Sequence, residues 1–386
     1  MKRLLTMLFV ALLGIVATAA PAVWFVNIYP GEDIYELEGH SAILIEDGYG
    51  SGAVVSYGQF DFASPGFVYR FVKGETDYCV GVFPRDRFVQ AYRQAGRRMV
   101  AHRLAMDSVQ IARLAELVAE NLRPENRVYR YNYVKDNCAT RPLRIVERAI
   151  GDTILLPPTE FDAESSRTVS FRNIMRHYHS NYPWYQFGID LALGSGIDYR
   201  LNHREEAFAP VVLDSQLQGA TVGGRPLVTD SEVIIDVPAD NVVAAPTPWY
   251  IAPMFVCWLV FGLILLSCLS DLRRGEMRRW VMSLYFGILG LAGLLLSFLM
   301  FVSVHEATTP NWLYVWINPL CLVASIFIWL KSGKKVLMSY QIVNFVALLL
   351  LGIAWPWIPQ STNPAFLPLY LADIMLAVTY IKLNNK

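Results

Sequence analysis

Charged residues are scarce in this chain. Asp, Glu, Lys and Arg make up 17% of its 386 residues, where a soluble protein carries about 25%. Hydrophobic residues reach 54%, which excludes a purely soluble protein. Basic and acidic residues balance at 33 each, so no excess of positive charge indicates nucleic acid as a partner. Five cysteines in 386 residues are too few for a disulfide scaffold. They show no CxxC pair and no zinc-like spacing with histidine, and we expect neither a metal site nor a cofactor.

The N-terminus has the layout of an export signal. Lys2 and Arg3 precede an apolar run over residues 4–16, and small residues follow up to Pro21. This pattern predicts a secretory signal peptide over residues 1–20, with an uncleaved N-terminal anchor as the alternative. In either case the following region is exported. We expect an exported domain over residues 21–237 and a Pro- and Ala-rich linker over 238–248.

Residues 249–386 predict a membrane domain of five helices. Five apolar stretches have the 17–25 residues that span a hydrocarbon core of about 30 Å. They cover residues 249–270, 280–304, 312–330, 336–354 and 365–381. Lys and Arg follow the first, third and fifth stretches and are absent from the other two loops. This charge bias predicts a multi-pass membrane protein whose exported domain lies outside the cytoplasm, in the periplasm or at the cell exterior.

The exported region combines strand-like and helical patterns. Three runs rich in β-branched residues predict strands over 23–28, 41–45 and 52–57. Asp107 is placed to cap a helix over 108–121, and a second helix is predicted over 138–150. The exported region is therefore of mixed α+β type.

Cys138 is the candidate nucleophile. It follows Asn137, a natural N-cap, so we expect its sulfur in the first turn of a helix, where the macrodipole favours a thiolate. A cysteine of lowered pKa beside a base is a nucleophile for acyl transfer; the alternative is a small buried cysteine. Cys79 lies in an alternating run and is read as a core residue or as a disulfide partner of Cys138.

His40 is the candidate base. A glycine precedes it and a buried-looking strand follows, so the ring is expected at the end of a sheet, where a helix N-terminus can meet it. His102 alternates with charged residues on a predicted surface strand, and His177 and His179 lie at a polar helix end. We expect these three side chains to be solvated, and the sequence around His203 is uninformative.

Six further residues are candidates to support the cysteine and the histidine. Those that would orient the imidazole are Tyr57, Asp61 and Asp136. Those expected to shape an oxyanion site, together with backbone N–H groups of the helix start, are Tyr133, Asn137 and Arg141.

The loop after the second apolar stretch carries candidate lipid contacts. His305 and Glu306 form an ionisable pair at the membrane boundary, which is a functional candidate by default. A plain interfacial loop is the alternative. Asn311 and Asn318 are candidates to donate hydrogen bonds to a lipid ester.

Several short motifs together resemble a known family. They are Gly-His-Ser at 39–41, Tyr-Gly-Gln-Phe-Asp-Phe at 57–62, Phe-Val-Lys-Gly at 71–74 and Asp-Asn-Cys-Ala-Thr-Arg-Pro at 136–142. This set is similar to the periplasmic domain of Lnb-type lipoprotein N-acyltransferases. The likeness continues at 187–195, 208–210 and 305–320 and so covers roughly residues 25–330. Phe-Ala-Pro at 208–210 departs from the Phe-Leu-Pro of the family.

The resemblance implies a fold and a reaction. His before Cys is also the order of circularly permuted papain-like folds, so the implied fold is a permuted papain-like α+β domain followed by five membrane helices. The implied reaction moves a fatty acyl chain from a membrane phospholipid, through a thioester on Cys138, to the α-amine of a diacylglyceryl lipoprotein's N-terminal cysteine. His40 is the implied base.

Two other classes of function stay open at this point. A Cys-dependent amidase or peptidase acting on cell-wall peptides would use the same pair of residues. A non-enzymatic envelope scaffold would simply bury Cys138.

Overall fold

The computed structural model describes residues 21–48, 51–161 and 169–385. The predicted signal peptide lies outside these residues. The described chain forms two compact units, each assembled from several segments. Unit A holds the described residues up to 60 together with 77–159 and 203–242, and unit B holds 61–76, the described part of 160–202, and the chain from 243 onward.

All ten described strands belong to unit A. They are β1 (Ala22–Ile28), β2 (His40–Glu46), β3 (Gly52–Gln59), β4 (Asp77–Pro84), β5 (Met99–Leu104), β6 (Val128–Arg130), β7 (Ile154–Leu155), β8 (Thr221–Val222), β9 (Arg225–Pro226) and β10 (Val228–Ile235). Seven form one sheet in the order β10-β5-β1-β2-β3-β4-β6, in which all neighbours are antiparallel. The other three form a small sheet. The three strands predicted from the sequence correspond to β1, β2 and β3.

The described helices are divided between the units. Unit A contains α2 (Arg85–Gln94), α3 (Ser108–Asn121), α4 (Pro124–Arg127), α5 (Thr140–Ile150), α8 (His203–Glu206) and α9 (Pro210–Leu217). Unit B contains α1 (Phe67–Lys73), α6 (Phe171–Tyr178), α7 (Pro183–Ala192), α10 (Pro253–Arg274), α11 (Arg279–Phe301), α12 (Cys321–Phe327), α13 (Lys334–Ala354) and α14 (Phe366–Asn384). Asp107 caps α3 as predicted, and Gln110 completes a capping box.

The large sheet of unit A is covered on both faces because its strands alternate apolar residues between them. Phe25 and Ile43 pack into the cluster that includes α3, α5 and α9. Val26 and Leu44, one residue along each strand, pack on the other face with Phe88 of α2. This period of two fixes the register of the strands. The mixed α+β character predicted for this region is confirmed.

Unit B contains four described helices that are long and apolar enough to cross a membrane, where the sequence predicts five. They are 253–274, 279–301, 331–357 and 366–384. The third predicted stretch, 312–330, contains only a 3-10 turn at Trp312–Val315 and the seven-residue α12. Among the described residues a fifth long helix is therefore not confirmed.

Packing against α11 explains this interruption. Gly293 of α11 lies so close to Asn318 that a Cβ there would stand 2.2 Å from the Asn318 carbonyl carbon. Asn318 accepts a hydrogen bond from the Leu320 N–H at 3.0 Å and precedes a proline, and both features oppose a continuous helix. The hydropathy of the sequence shows only that this stretch is apolar, and it does not indicate the interruption.

A buried arginine joins the shorter helices of unit B. Arg172 of α6 is fully buried and pairs with Asp190 of α7 at 3.0 Å and with Asp198 at 2.8 Å. Asp190 also accepts from Asn363, in the segment between α13 and α14. Because each charge has several partners, the burial of these ions is compensated. The same region buries His179, contrary to expectation, with its Nδ1 2.7 Å from Gln186.

Candidate active site

Cys138 lies in the turn that leads into α5. The helix begins at Thr140, two residues later than predicted, so Cys138 precedes it. Asn137 nevertheless caps this turn, because its Oδ1 accepts from the N–H groups of Ala139 and Thr140 at 2.9 and 3.0 Å. The cysteine is thus held at a fixed place at the end of the helix.

Asn137 also ties the cysteine loop to the rest of unit A. Its Nδ2 donates to the carbonyl oxygens of Tyr133 at 2.7 Å and Phe208 at 2.8 Å. At Phe208 the acceptor is the backbone carbonyl, so this hydrogen bond does not depend on the side chains there. The neighbouring Ala209 is fully buried. The departure of this sequence at Ala209 therefore changes packing and leaves the anchor of the loop in place.

The Cys138 sulfur is buried but has hydrogen-bond donors. The residue is 9% exposed, and the Tyr131 hydroxyl lies 3.9 Å from Sγ. Burial raises the pKa of the Cys138 thiol, and hydrogen bonds from the Ser41 backbone N–H and the Tyr131 hydroxyl offset only part of that effect. The expectation of a resting thiolate is therefore wrong, since burial outweighs the helix start. The structure indicates a neutral thiol.

Gly58 leaves room for the Cys138 side chain because it has no side chain of its own. Its φ of 82° lies in the left-handed region, and a Cβ there would stand 3.5 Å from the Cys138 Cβ and 3.2 Å from the Tyr131 ring. A side chain at this position would be strained and would crowd the site.

His40 is the first residue of β2 and is partly buried. Its Nε2 lies 2.8 Å from the Ser56 hydroxyl of β3, which also accepts from Gln59 Nε2 at 2.8 Å. Burial, together with the smaller effect of the nearby Arg97 charge, lowers the pKa of His40 to about 3. The imidazole is therefore neutral near pH 7.

The Ser41 contact brings the end of β2 to the cysteine. Ser41 follows His40 directly, and its backbone N–H is near enough to Cys138 to lower the pKa of the thiol. His40 and Cys138 are predicted from the sequence, whereas Ser41, Ser56 and Tyr131 are found only in the structure. Ser41 could have been predicted, because it belongs to the Gly-His-Ser motif. The contact between His40 and Ser56 could not, because it depends on the register of the two strands, which the sequence does not reveal.

The three candidates for orienting the imidazole have other partners or none in their own units. The Asp136 carboxylate pairs with two arginines, with Arg141 Nε at 2.9 Å and also with Arg144. Tyr57 is fully buried, and its hydroxyl has no hydrogen-bond partner among the described residues. Asp61 belongs to unit B, where it accepts from the Ala63 N–H at 2.8 Å. The described contact to the His40 ring is made by Ser56 instead.

The remaining candidates of the cysteine loop are close in sequence but engaged in packing. The Arg141 guanidinium lies over the Tyr129 ring, 3.6 Å from its centre, while its Nε binds Asp136. Tyr133 is partly exposed and its ring lies 6.3 Å from that of Phe208. Neither contact directs a donor at the sulfur.

An aromatic row leads from Tyr131 to the surface of unit A. Tyr131 stacks on Tyr78 with ring centres 4.2 Å apart, Tyr78 lies 5.2 Å from Phe60, and Phe60 meets Tyr35 edge to face at 5.7 Å. Tyr35 is exposed. These four residues, the aromatic row, form a series of ring contacts from beside the cysteine to the exposed Tyr35.

A buried polar network lies behind Ser41. The Ser41 hydroxyl donates to Asn27 at 2.7 Å, and Asn27 donates to the Asp214 carboxylate at 3.1 Å. His102 is fully buried, with Nε2 2.8 Å from Asp214 and Nδ1 2.8 Å from Ser231. The prediction that His102 is solvated is therefore wrong, because α9 covers this part of the sheet and supplies a carboxylate.

The candidate lipid contacts of unit B have structural partners. His305 Nε2 bonds the Phe71 carbonyl oxygen at 2.8 Å. Asn311 is buried and donates to the Leu191 carbonyl at 2.9 Å. Asn318 donates to the Val315 carbonyl at 3.2 Å, and Glu306 begins a short 3-10 turn and is exposed.

All five cysteines of the chain lie in described residues and are free. Cys79 is partly buried in β4, so the alternative of a disulfide to Cys138 is wrong for this structure.

Two family models match the chain. Residues 15–172 match the Lnb N-terminal periplasmic domain, and residues 245–386 match the Lnb transmembrane domain. No curated protein and no solved structure shows a significant match. The two matches occur in the order that the sequence motifs imply. The chain is a multi-pass membrane protein with a periplasmic domain, and it belongs to the Lnb family.

Proposed function

We propose that this protein is a lipoprotein N-acyltransferase of the inner membrane. It takes a fatty acyl chain from a phospholipid onto Cys138 and passes it to the α-amine of a diacylglyceryl lipoprotein's N-terminal cysteine. The observation that carries the proposal is the Cys138 sulfur, buried beside a capped helix start, with the backbone N–H of the residue next to His40 near enough to lower the pKa of the thiol. Membership of the Lnb family supports the same class of reaction.

In the first half-reaction the resting groups are a neutral thiol and a neutral imidazole, as the directions of their pKa shifts indicate. His40 accepts the thiol proton while Sγ attacks the ester carbonyl carbon of the phospholipid. The C–O bond of the tetrahedral intermediate then breaks, and the proton passes from His40 to the departing oxygen. A lysophospholipid leaves and the acyl chain remains on sulfur.

In the second half-reaction the free amine of the lipoprotein attacks the thioester carbonyl. A C–N bond forms and the C–S bond breaks. His40 takes the proton from the nitrogen and returns it to the cysteine sulfur. Thioesters react readily with amines, whereas oxygen esters react slowly. Transfer through a thioester therefore makes the reaction with the lipoprotein amine faster than direct transfer from the phospholipid ester.

Two features of the site support acyl chemistry. The backbone N–H groups of Ser41 and Cys138 favour negative charge at the sulfur and are the candidate donors to a negatively charged oxygen, because those of Ala139 and Thr140 already bond Asn137. The aromatic row gives the sulfur apolar surroundings, which suit an acyl chain better than a charged substrate.

We further propose that unit A is a permuted papain-like fold. In support of this, the histidine comes before the cysteine in the chain, β2 presents the histidine, and the helix that follows the cysteine packs on the same antiparallel sheet.

The proposal is tested in cells that depend on one variant of this protein, by mass spectrometry of lipoprotein N-termini. Cys138→Ala should abolish N-acylation and leave diacyl lipoprotein, and His40→Ala should lower it by about 10²–10⁴-fold. Cys79→Ala is the matched control, since this cysteine is free but lies on β4, and should support normal N-acylation. Normal N-acylation with Cys138→Ala would refute the proposal.

A further inference from the structure

The short helix α1 lies at one end of the long helix α11. The Tyr69 ring of α1 is 5.9 Å from the ring of Phe298 in α11. Just beyond the end of α11, the Val304 N–H donates to the Lys73 carbonyl at 2.9 Å, and His305 Nε2 bonds the Phe71 carbonyl at 2.8 Å. All of these residues belong to unit B.

The length of α11 indicates how deep α1 lies relative to the membrane, because α1 contacts the end of that helix. Its 23 residues run from Arg279 to Phe301, and at 1.5 Å per residue they rise about 34 Å, close to the roughly 30 Å of a hydrocarbon core. Arg279 marks the cytoplasmic boundary, so Phe298 lies near the outer edge of the hydrocarbon. The contact of Tyr69 with Phe298 therefore places α1 at the outer membrane–water interface.

The residues in and just before α1 expose large apolar side chains. Val68 is 72% exposed and Tyr69 58% exposed, and Phe62 and Phe71 are exposed as well. We call these four residues the α1 patch. The exposed Phe301 and Val304 at the end of α11 continue it. An apolar surface that continues the lipid-facing side of a membrane helix is suited to lipid rather than to water.

The position of α1 is fixed rather than adjustable. Gly74 ends the helix with a φ of 79°, and a Cβ there would stand 3.0 Å from Val304 and 3.2 Å from His305. Lys73 and Arg70 in the last turn have local partners, since Lys73 pairs with Glu75 at 2.9 Å and Arg70 donates to the Ser64 hydroxyl at 2.8 Å.

We infer that the α1 patch is inserted into the outer leaflet at the level of the phospholipid headgroups and upper acyl chains. Its partner is the bilayer itself. His305 is then a positioning residue, since it holds α1 through the Phe71 carbonyl. The inference concerns membrane contact and stands independently of the acyl-transfer reaction.

The test places a fluorescent label in the α1 patch of the full-length protein. Val68→Cys is labelled with NBD, reconstituted in phosphatidylethanolamine–phosphatidylglycerol nanodiscs, and exposed to lipids with a spin label near the headgroup. Val109→Cys is the matched control, because Val109 is 75% exposed on α3 of unit A. The chain without an added cysteine gives the background.

We expect a blue-shifted emission at position 68 and quenching several times that at position 109. Adding His305→Ala should reduce the quenching at position 68. Emission and quenching at position 68 equal to those at position 109 would overturn the inference. Unchanged quenching after His305→Ala would refute the positioning role of that histidine.

Discussion

His40 and Ser56 are joined by a hydrogen bond of 2.8 Å between the imidazole Nε2 and the hydroxyl oxygen. They lie on neighbouring strands, yet Ser56 stands opposite Ala42 in the register, so the bond runs diagonally across the ladder. Gln59 holds the same hydroxyl. The imidazole is thus oriented by neutral groups, which agrees with a neutral base rather than an imidazolium held by a carboxylate.

Ser56→Ala should slow acyl transfer by about 5–10-fold, because it removes one orienting hydrogen bond with a net value of about 1 kcal/mol. The rate of acyl transfer from phospholipid measures this effect, and thermal unfolding shows that the protein remains folded. Ser51→Ala, an exposed serine of the same unit, is the control. Equal rates of acyl transfer for the two variants would show that Ser56 does not contribute to the reaction.

Alkylation of Cys138 should report a thiol rather than a thiolate. Burial raises the pKa of this group above that of an ordinary cysteine, 9.0, so the protonated form persists to higher pH and the alkylation rate should still be rising at pH 9. Mass spectrometry of the iodoacetamide adduct at Cys138 over pH 6–10 gives the profile. A rate that is constant from pH 7 upward would instead indicate a thiolate–imidazolium pair.

Gly39→Ala should destabilise the protein by more than Gly224→Ala. Both glycines have positive φ, 85° and 76°, so both substitutions carry the cost of a left-handed residue, about 1–2 kcal/mol. Only at Gly39 would the new Cβ collide with another group, the Ile28 carbonyl oxygen at 2.5 Å, whereas nothing lies within 4 Å at Gly224. Thermal unfolding in detergent compares the two, and equal melting temperatures would contradict the close approach beside His40.

Asp214→Asn should destabilise unit A by about 1–3 kcal/mol, because the new amide presents a donor to side chains that donate to Asp214. Asn27 and His102 meet its Oδ1 at 3.1 and 2.8 Å, and the Tyr29 hydroxyl donates to its Oδ2 at 2.8 Å. Asp236→Asn is the control, since that side chain is 84% exposed. Chemical unfolding monitors both, and a loss no greater for Asp214→Asn would show that the network is not needed for stability.

Features that depend on local sequence could be predicted. The three strands follow from their β-branched runs, and the bounds of α3 follow from the Asp107 cap. The choice of Cys138 and His40 as candidates depends on the residues beside them, Asn137 and Gly39, which retain local roles in the structure.

Features that depend on packing between distant segments could not be predicted. His102 looks solvated in its own strand, and only α9, more than a hundred residues later, buries it and provides Asp214. The sequence of the third apolar stretch predicts a full helix. The close approach of Gly293 in α11 to Asn318, which opposes that helix, depends on packing. The protonation state of Cys138 likewise follows from burial by the whole unit rather than from the helix start beside it.

The central claim is that Cys138 carries an acyl chain during turnover, and intact-mass analysis of the purified protein tests it most directly. After incubation with phosphatidylethanolamine–phosphatidylglycerol vesicles in the absence of lipoprotein, we expect a mass increase of one fatty acyl group that hydroxylamine removes and that Cys138→Ala lacks. The same increase on Cys138→Ala, or turnover in the wild-type chain without any acylated species, would contradict the claim.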